Sequence, residues 1–235
     1  LPIVFLTSHT ERDFVERVKG ITRYGYVVKH AGEFVLLESI SMALELFGAH
    51  RETRKREDRI AQLKRTYQVL SDVNQTIVRE TEEASLLESI CEITVDKGDF
   101  RFAWICAPDA SGHGLKRLHY RGEGERSDGP VVIDLQDPFA RLGPTARAFL
   151  AEEATVIDDI LEEPDDVPWR EFSLDHEVRS VAAFPIHRGG SVAYTLTLYA
   201  PAPCFFDSEE RSLLDELVMD VEFALQAMES DRLRA

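Results

Sequence analysis

The sequence predicts a mixed α/β (α+β) chain: an antiparallel sheet with flanking helices, reached through a long helical linker that follows a partial β-α-β-α segment. Three observations carry that prediction. Residues 33–78 read as one helical run, and inside it Ile60, Leu63, Tyr67, Leu70, Asn74 and Ile77 recur at alternating steps of three and four. Residues 178–186 and 192–200 are rich in β formers and flank the turn Arg188-Gly189-Gly190-Ser191, which makes them a hairpin. Residues 1–48 alternate strand, helix, strand and helix, the order of a parallel sheet with crossover helices. Three regions follow: a partial α/β unit over 1–48, a helical linker over 49–80 and an α/β domain with a C-terminal output helix over 81–235.

Composition narrows the function classes. With 235 residues and 44% hydrophobic residues the chain can bury a real core. A formal charge of -16 repels nucleic-acid backbones and anionic membrane surfaces, so no nucleic-acid partner is expected. The one basic cluster, Arg51, Arg54, Lys55, Arg56 and Arg59, is interleaved with Glu52, Glu57 and Asp58 and reads as a solvated helix face. Cys91, Cys106 and Cys204 show neither close pairing nor metal-ligand spacing, which points to a reducing, cytoplasmic setting. No apolar run reaches the roughly 18 residues of a membrane span, so no membrane insertion is expected.

The chain opens on Pro2-Ile3-Val4-Phe5-Leu6, an apolar strand of the kind buried on both faces of a parallel sheet. Thr10 is placed to cap a helix over 11–19, Tyr26-Val27-Val28 forms a second strand, and the helix beginning near Glu33 is expected to bury Phe34, Leu37, Ile40, Met42, Leu44 and Phe47. Charged helix formers then fill 49–59 and make a spacer. The seam over 60–77 suits a helix that pairs with another chain, or else one that packs its stripe on its own domain.

Beyond it, Thr81 or Ser85 can cap a helix over 86–96, ended by Lys97-Gly98-Asp99. Strands are expected over 100–107 and 115–121 around a turn at 109–114, and again at 131–135 and 155–157. Gly143-Pro144-Thr145 opens a short helix, and 158–169 is an acidic loop without the glycine and spacing of a calcium site. Tyr194, Leu196 and Leu198 alternate with Thr195, Thr197 and Tyr199, so the sheet has two different faces. Asp207 or Ser208 caps the last helix, whose stripe is Leu214, Leu217, Val221, Ala224 and Met228.

Two resemblances are specific. Pro-Ile-Val-Phe-Leu-Thr-Ser (2–8) followed by Tyr-Gly-Tyr-Val-Val-Lys (24–29) resembles the C-terminal half of a response-regulator receiver domain, over residues 1–48 only. That likeness implies phosphate contacts from Thr7 and Lys29 and a switch role for Tyr26, since a hydroxyl and an ammonium both donate to phosphate oxygens. His30 stands where the family has a proline, and the acceptor aspartate belongs to a half this segment does not match, so no uptake of label from acetyl phosphate is expected. Further along, the phrases at 70–78, 98–105, 143–148, 168–170, 179–186 and 205–210 recur in the order found in GAF domains of bacterial sensor proteins. Such a domain implies an antiparallel sheet with helices on one face and a small-molecule pocket under loops on the other.

The cofactor is left unknown. Of the family's Asn-Lys-Phe-Asp-Glu cyclic-nucleotide set only Phe206, Asp207 and Glu209 are recognisable, and helix capping explains them. A bilin cysteine is often followed by histidine, whereas Glu92, Ala107 and Phe205 follow the three cysteines. His119, His176 and His187 are each possible haem ligands or ordinary hydrogen-bonded residues. The family's free-methionine-sulfoxide reductases use a spaced set of cysteines that is absent here. The expected ligand is a small amphipathic or aromatic molecule held by Trp104, Cys106, His119, Trp169, Phe172, Phe184 and Tyr199, the alternative being that these side chains fill the core.

The functional expectation is a regulatory or sensory module of a cytoplasmic two-component or cyclic-di-GMP type signalling protein, without catalysis of its own. It would act as a homodimer through Ile60, Leu63, Tyr67, Leu70, Asn74, Ile77, Leu214, Leu217, Val221 and Met228, with signalling domains upstream or downstream. A purely structural dimerisation module is the rival reading, and a GAF-type enzyme the weaker one.

Overall fold

Secondary structure follows the local signals, with most differences at element ends. The computed structural model describes residues 1–8, 24–122, 131–164 and 167–234, so the expected helix over 11–19 lies outside the described residues. Two units divide the chain, Leu1–Gln62 and Leu63–Ala235.

In the first unit, β1 (Phe5–Thr7) and β2 (Tyr26–Val28) pair in parallel, with Phe5 opposite Tyr26 and Thr7 opposite Val28. The Lys29 backbone N–H donates to the Thr7 carbonyl at 2.8 Å and extends the ladder. Helix α1 (Glu33–Arg79) starts here. Its first turns do not bury what the sequence led us to expect: Phe34, Leu37, Met42 and Leu44 are exposed, while Ala43 is buried. Strands of three residues present too little apolar surface to cover such a stripe.

The second unit is built on one antiparallel sheet. Its strands are β3 (Phe102–Pro108), β4 (Gly114–Gly122), β5 (Val132–Asp134), β6 (Thr155–Ile157), β7 (Ser180–Arg188) and β8 (Ser191–Ala200), in the order β5-β4-β3-β8-β7-β6. The β7–β8 hairpin turns at Gly189 and Gly190, with φ of 63° and 87°, the left-handed pair that a two-residue turn requires. Asp109 holds the β3–β4 turn by accepting from the Ser111 N–H and hydroxyl at 2.9 and 2.7 Å.

Three helices cover one face. Helix α2 (Glu83–Gly98) lays down Leu86, Leu87, Ile90 and Cys91, and ends at Asp99 in the left-handed region, φ 64°. Its N-cap is Glu82, which makes no side-chain capping bond, in place of the expected Thr81 or Ser85. Helix α5 (Ser208–Arg234) is capped by Asp207, whose Oδ1 accepts from the Glu209 and Glu210 N–H groups at 3.0 and 3.1 Å. The end of α1 adds Val69, Leu70 and Val73. Together they bury Ala103, Ile105, Phe184, Ile186, Leu196 and Leu198 of the sheet, at about 1.5–3 kcal/mol for each large side chain.

On the other face lie two short helices, α3 (Pro144–Ala151) and α4 (Pro168–Asp175), with a second cluster of Phe102, Ile157, Ile160, Val178, Val181 and Tyr199. The stretch expected to be a solvated acidic loop is instead tied down. Asp159 pairs with Arg179 at 2.6 Å and accepts from the Leu161 N–H at 3.0 Å, Asp158 pairs with Arg211 at 3.0 Å, and α4 begins within it.

Candidate functional site

Strand alternation sends Phe102 and Trp104 of β3 to the face opposite the three helices. Trp104 is opposite Thr197 and Phe102 opposite Tyr199, so β8 contributes Thr197 and Tyr199 beside them. The rings lock together: Phe102 and Tyr199 stack with centroids 4.0 Å apart, and Trp104 meets Tyr199 edge-on at 5.0 Å.

Helix α3 starts with Pro144 at its first position after the extended Gly143, a placement where the missing proline N–H costs nothing. Thr145, next in line, is 2% exposed and aims its hydroxyl at the sheet. There Trp104 Nε1–H donates to Thr145 Oγ1 at 3.1 Å, and Thr145 and Thr197 share a hydroxyl bond of 2.9 Å. Burial pushes the Tyr199 phenol far above its ordinary pKa, so it stays a neutral hydroxyl, in contact with Thr145. Helix α4, opened by Pro168 in the same way, brings Trp169, Phe172 and Ser173 over the edge of this floor.

Between floor and helices is a chamber of about 320 Å³. Trp104, Thr145 and Tyr199 form its base, Trp169, Phe172 and Ser173 one wall, and β5 with Asp134, Asp137 and Phe139 the other. Asp134 and Asp137 each accept from a backbone N–H in their own turn, of Gln136 at 2.8 Å and of Phe139 at 2.9 Å. Among the described residues, no arginine, lysine or histidine lines the chamber. Trp169 Nε1 and Ser173 Oγ are buried and have no hydrogen-bond partner among the described residues.

Of the seven pocket residues expected from the sequence, Trp104, Trp169, Phe172 and Tyr199 come together here and three do not. Phe184 is opposite Leu196 and His119 opposite Ile105, which puts both on the helix-covered face. Burial holds His119 below its usual pKa, opposed by Glu88 of α2. Cys106 follows a bulge after Ile105 and is buried without lining the chamber, and burial pushes its thiol up to about 12. His176 meets the Phe172 carbonyl through Nδ1 at 2.7 Å, and His187 meets Glu222 at 2.8 Å; neither lines the chamber. Thr145, Ser173 and Thr197 were missed. The only available signal was the parity Thr197 shares with Tyr199, and the Gly-Pro-Thr start of α3.

The expected dimer seam is also redistributed. Leu70, Leu214, Leu217 and Val221 are buried in the unit's own core and are not available to another chain, while Ile77 and Met228 are partly buried against it. The inward stripe of α1 is Thr66, Val69, Leu70 and Val73, displaced by about one residue from the predicted seam; Leu63 and Asn74 are half-buried. Ile60 and Tyr67 are exposed, at 66% and 64%. In the first unit Thr7 is buried and Tyr26 is 38% exposed.

An antiparallel sheet covered by helices on one side, with an aromatic chamber roofed by short helices on the other, defines the class as a mixed α/β domain built on a single sheet. A family model described as GAF domain matches residues 80–226, and the chain belongs to that family. No curated protein sequence matches the chain. Among solved structures it is similar to a free methionine-R-sulfoxide reductase from Neisseria meningitidis in complex with its substrate, at 17% identity and a TM-score of 0.57, covering 71% of this chain and 91% of that one. The reduced form of fRMsr of Staphylococcus aureus matches at 16% identity and TM-score 0.55, covering 68% and 94%. The GAF domain from an Acinetobacter phosphoenolpyruvate-protein phosphotransferase matches at 15% and 0.52, covering 69% and 93%.

At these identities the likeness is one of fold. It nevertheless overturns the expectation of a module without catalysis of its own, because the same fold houses the reductases. The lack of a recognisable nucleophile motif was too narrow a ground for that expectation.

Proposed function

We propose that the chain is a regulatory module of a bacterial signal-transduction protein, in which a small molecule bound in the chamber biases the helices on the far side of the sheet. One observation carries this reading. Strands β3 and β8 present Trp104 and Tyr199 to the chamber and Ile105, Leu196 and Leu198 to α1, α2 and α5, alternating along the same backbone. A ligand that shifts Trp104 or Tyr199 therefore shifts the platform under the helices, since packed cores move as discrete units.

The outward surface of the same helices suits pairing of two copies. Tyr67 and Val78 of α1 border a groove shared with Glu216 of α5, and Met219 and Phe223, about one and two turns further along α5, are 67% and 75% exposed. In this reading the receiver-like segment with Thr7, Lys29 and Tyr26 is a structural start to α1, with no phosphoryl chemistry.

The test is a search for ligand. Native mass spectrometry of the purified chain, followed by thermal denaturation against nucleotides, tetrapyrroles, aromatic metabolites and free methionine-R-sulfoxide, should find a compound that raises the transition. At one hundred times its Kd a ligand of the folded state contributes about 2.7 kcal/mol, or roughly 5–10 °C for a unit of this size. A flat response across all of them would favour a purely structural dimerisation module.

A further inference from the structure

Ring geometry and charge at the chamber point in one direction. Phe102 and Tyr199 lie nearly parallel, at 21°, while Trp104 stands at 73° to Tyr199 and Phe172 at 78° to Phe102. Two rings therefore rise steeply from a common aromatic floor and make a corner, whereas a slot for a flat molecule needs parallel walls. A corner seats a rounded group, and the face of each ring carries the negative end of its quadrupole, which attracts a cation. A guest can reach these rings: Trp104 is half-buried, Phe172 is 37% exposed, and Phe139 on the opposite wall is 52% exposed.

The acidic side chains add to the same field. Asp134 and Asp137 border the chamber and are exposed. In each, Oδ1 is taken by a backbone N–H of its own turn, while Oδ2 has no hydrogen bond among the described residues. Either carboxylate can therefore attract a positive charge without giving up the turn it holds. With about 320 Å³, at the small end for ligand sites, the chamber has room for a compact head and little more. An alkylated ammonium matches rings and charge together: its methyl groups touch the ring faces, its charge is spread over them, and it has no N–H to leave unpaired.

We infer that the chamber takes a small free organic cation with a quaternary ammonium head, seated between Trp104 and Phe172 and drawn in by Asp134 and Asp137. This rests on the reading of the chamber as a ligand site, and it adds the chemical class of the ligand.

Choline and 3,3-dimethylbutan-1-ol share one outline and differ in charge, so the pair isolates it. The chain has two tryptophans, both at the chamber, so a ¹H–¹⁵N spectrum holds two indole signals, and Trp169→Phe assigns them. We expect choline to move the Trp104 signal and to bind at least about tenfold more tightly than the alcohol. The double variant Asp134→Asn/Asp137→Asn keeps both Oδ1 acceptors and removes only the charge; it should weaken choline at least about threefold and leave the alcohol unchanged. Equal binding of the two probes, a choline affinity untouched by the double variant, or a choline shift confined to Trp169 overturns the inference while leaving a ligand chamber in place. If choline moves neither indole signal the inference also falls, and the ligand screen above then decides separately whether the chamber binds anything. Cosedimentation with phosphatidylcholine vesicles, reversed by choline, would assign the head to a lipid and overturn the claim of a free cation.

Discussion

Thr145→Val removes one oxygen and almost no volume, which makes it a clean probe of the chamber floor. In the wild type that oxygen accepts from Trp104 Nε1 at 3.1 Å and shares a 2.9 Å bond with Thr197, inside a site where Thr145 is 2% exposed. The valine orphans both partners. Each buried polar group left without a bond costs about 1–3 kcal/mol, and part of this is recovered because the Thr145 hydroxyl no longer has to be desolvated. Trp104 is only half-buried and finds water more easily than Thr197 does, which holds the net loss to about 2–4 kcal/mol. For a unit of this size that is a fall in Tm on the order of 10 °C. Urea denaturation followed by tryptophan fluorescence should show a lower midpoint with an unchanged slope. Thr145→Ser keeps the hydroxyl and should lose about 1 kcal/mol for the missing methyl. The double variant Thr145→Val/Thr197→Val should lose less than the sum of the two, since neither hydroxyl then waits for the other. A loss for Thr145→Val below about 0.5 kcal/mol, or strict additivity in the double variant, would show that the floor is not held by this network.

Three further outcomes are expected. The Arg179 guanidinium, with the Leu161 N–H, holds the Asp159 carboxyl below the usual carboxylate range; a group depressed in this way stabilises fully above its unfolded pKa of about 4 and loses that contribution as pH falls through its folded value. The stability gap between wild type and Asp159→Asn should therefore be open at neutral pH and close in strong acid, and a gap independent of pH in urea melts would refute the pairing. Burial pushes the Cys91 and Cys106 thiols upward, while Cys204 is exposed, so an aromatic disulfide reagent should titrate one thiol in the native chain and the other two only on unfolding; prompt reaction of a second thiol would contradict the packing. Light scattering should find a dimer at tens of micromolar for the wild type and a monomer for Tyr67→Asp/Phe223→Asp, whose side chains are exposed on the single chain; a monomeric wild type would remove the pairing proposal.

The elements were legible because their signals are local. The Arg188-Gly189-Gly190-Ser191 turn, the Asp207 cap and the Lys97-Gly98-Asp99 stop act within a few residues of themselves, and each stands where the sequence places it. Helix α4 was missed for the opposite reason. Residues 168–175 have mixed polarity, and what holds them helical is Phe172 against Phe102, with ring centroids 5.7 Å apart, a partner 70 residues away. The α1 stripe shows a subtler limit. Over 60–77 an exact heptad and a 3.6-residue helix differ by little, so the sequence admitted both a seam through Tyr67 and Asn74 and the stripe through Thr66, Val69 and Val73. Packing against α5 chose the second.

By itself, then, the sequence determined the order of the described strands and of the described helices other than α4, the two-faced character of β8 and the GAF likeness, all of which depend on periodicity or on short phrases. Only the tertiary structure decided which face of each strand looks into the chamber. Alternation within a strand says that neighbours diverge, but the side each takes is set by register with the next strand: Phe184 follows Leu196 under the helices, while Tyr199 follows Phe102 into the chamber. The unpartnered donors were invisible for the same reason, since whether Trp169 or Ser173 has a hydrogen-bond partner depends on what the folded chain brings within 3.5 Å of it, and no residue carries that information in its own neighbourhood.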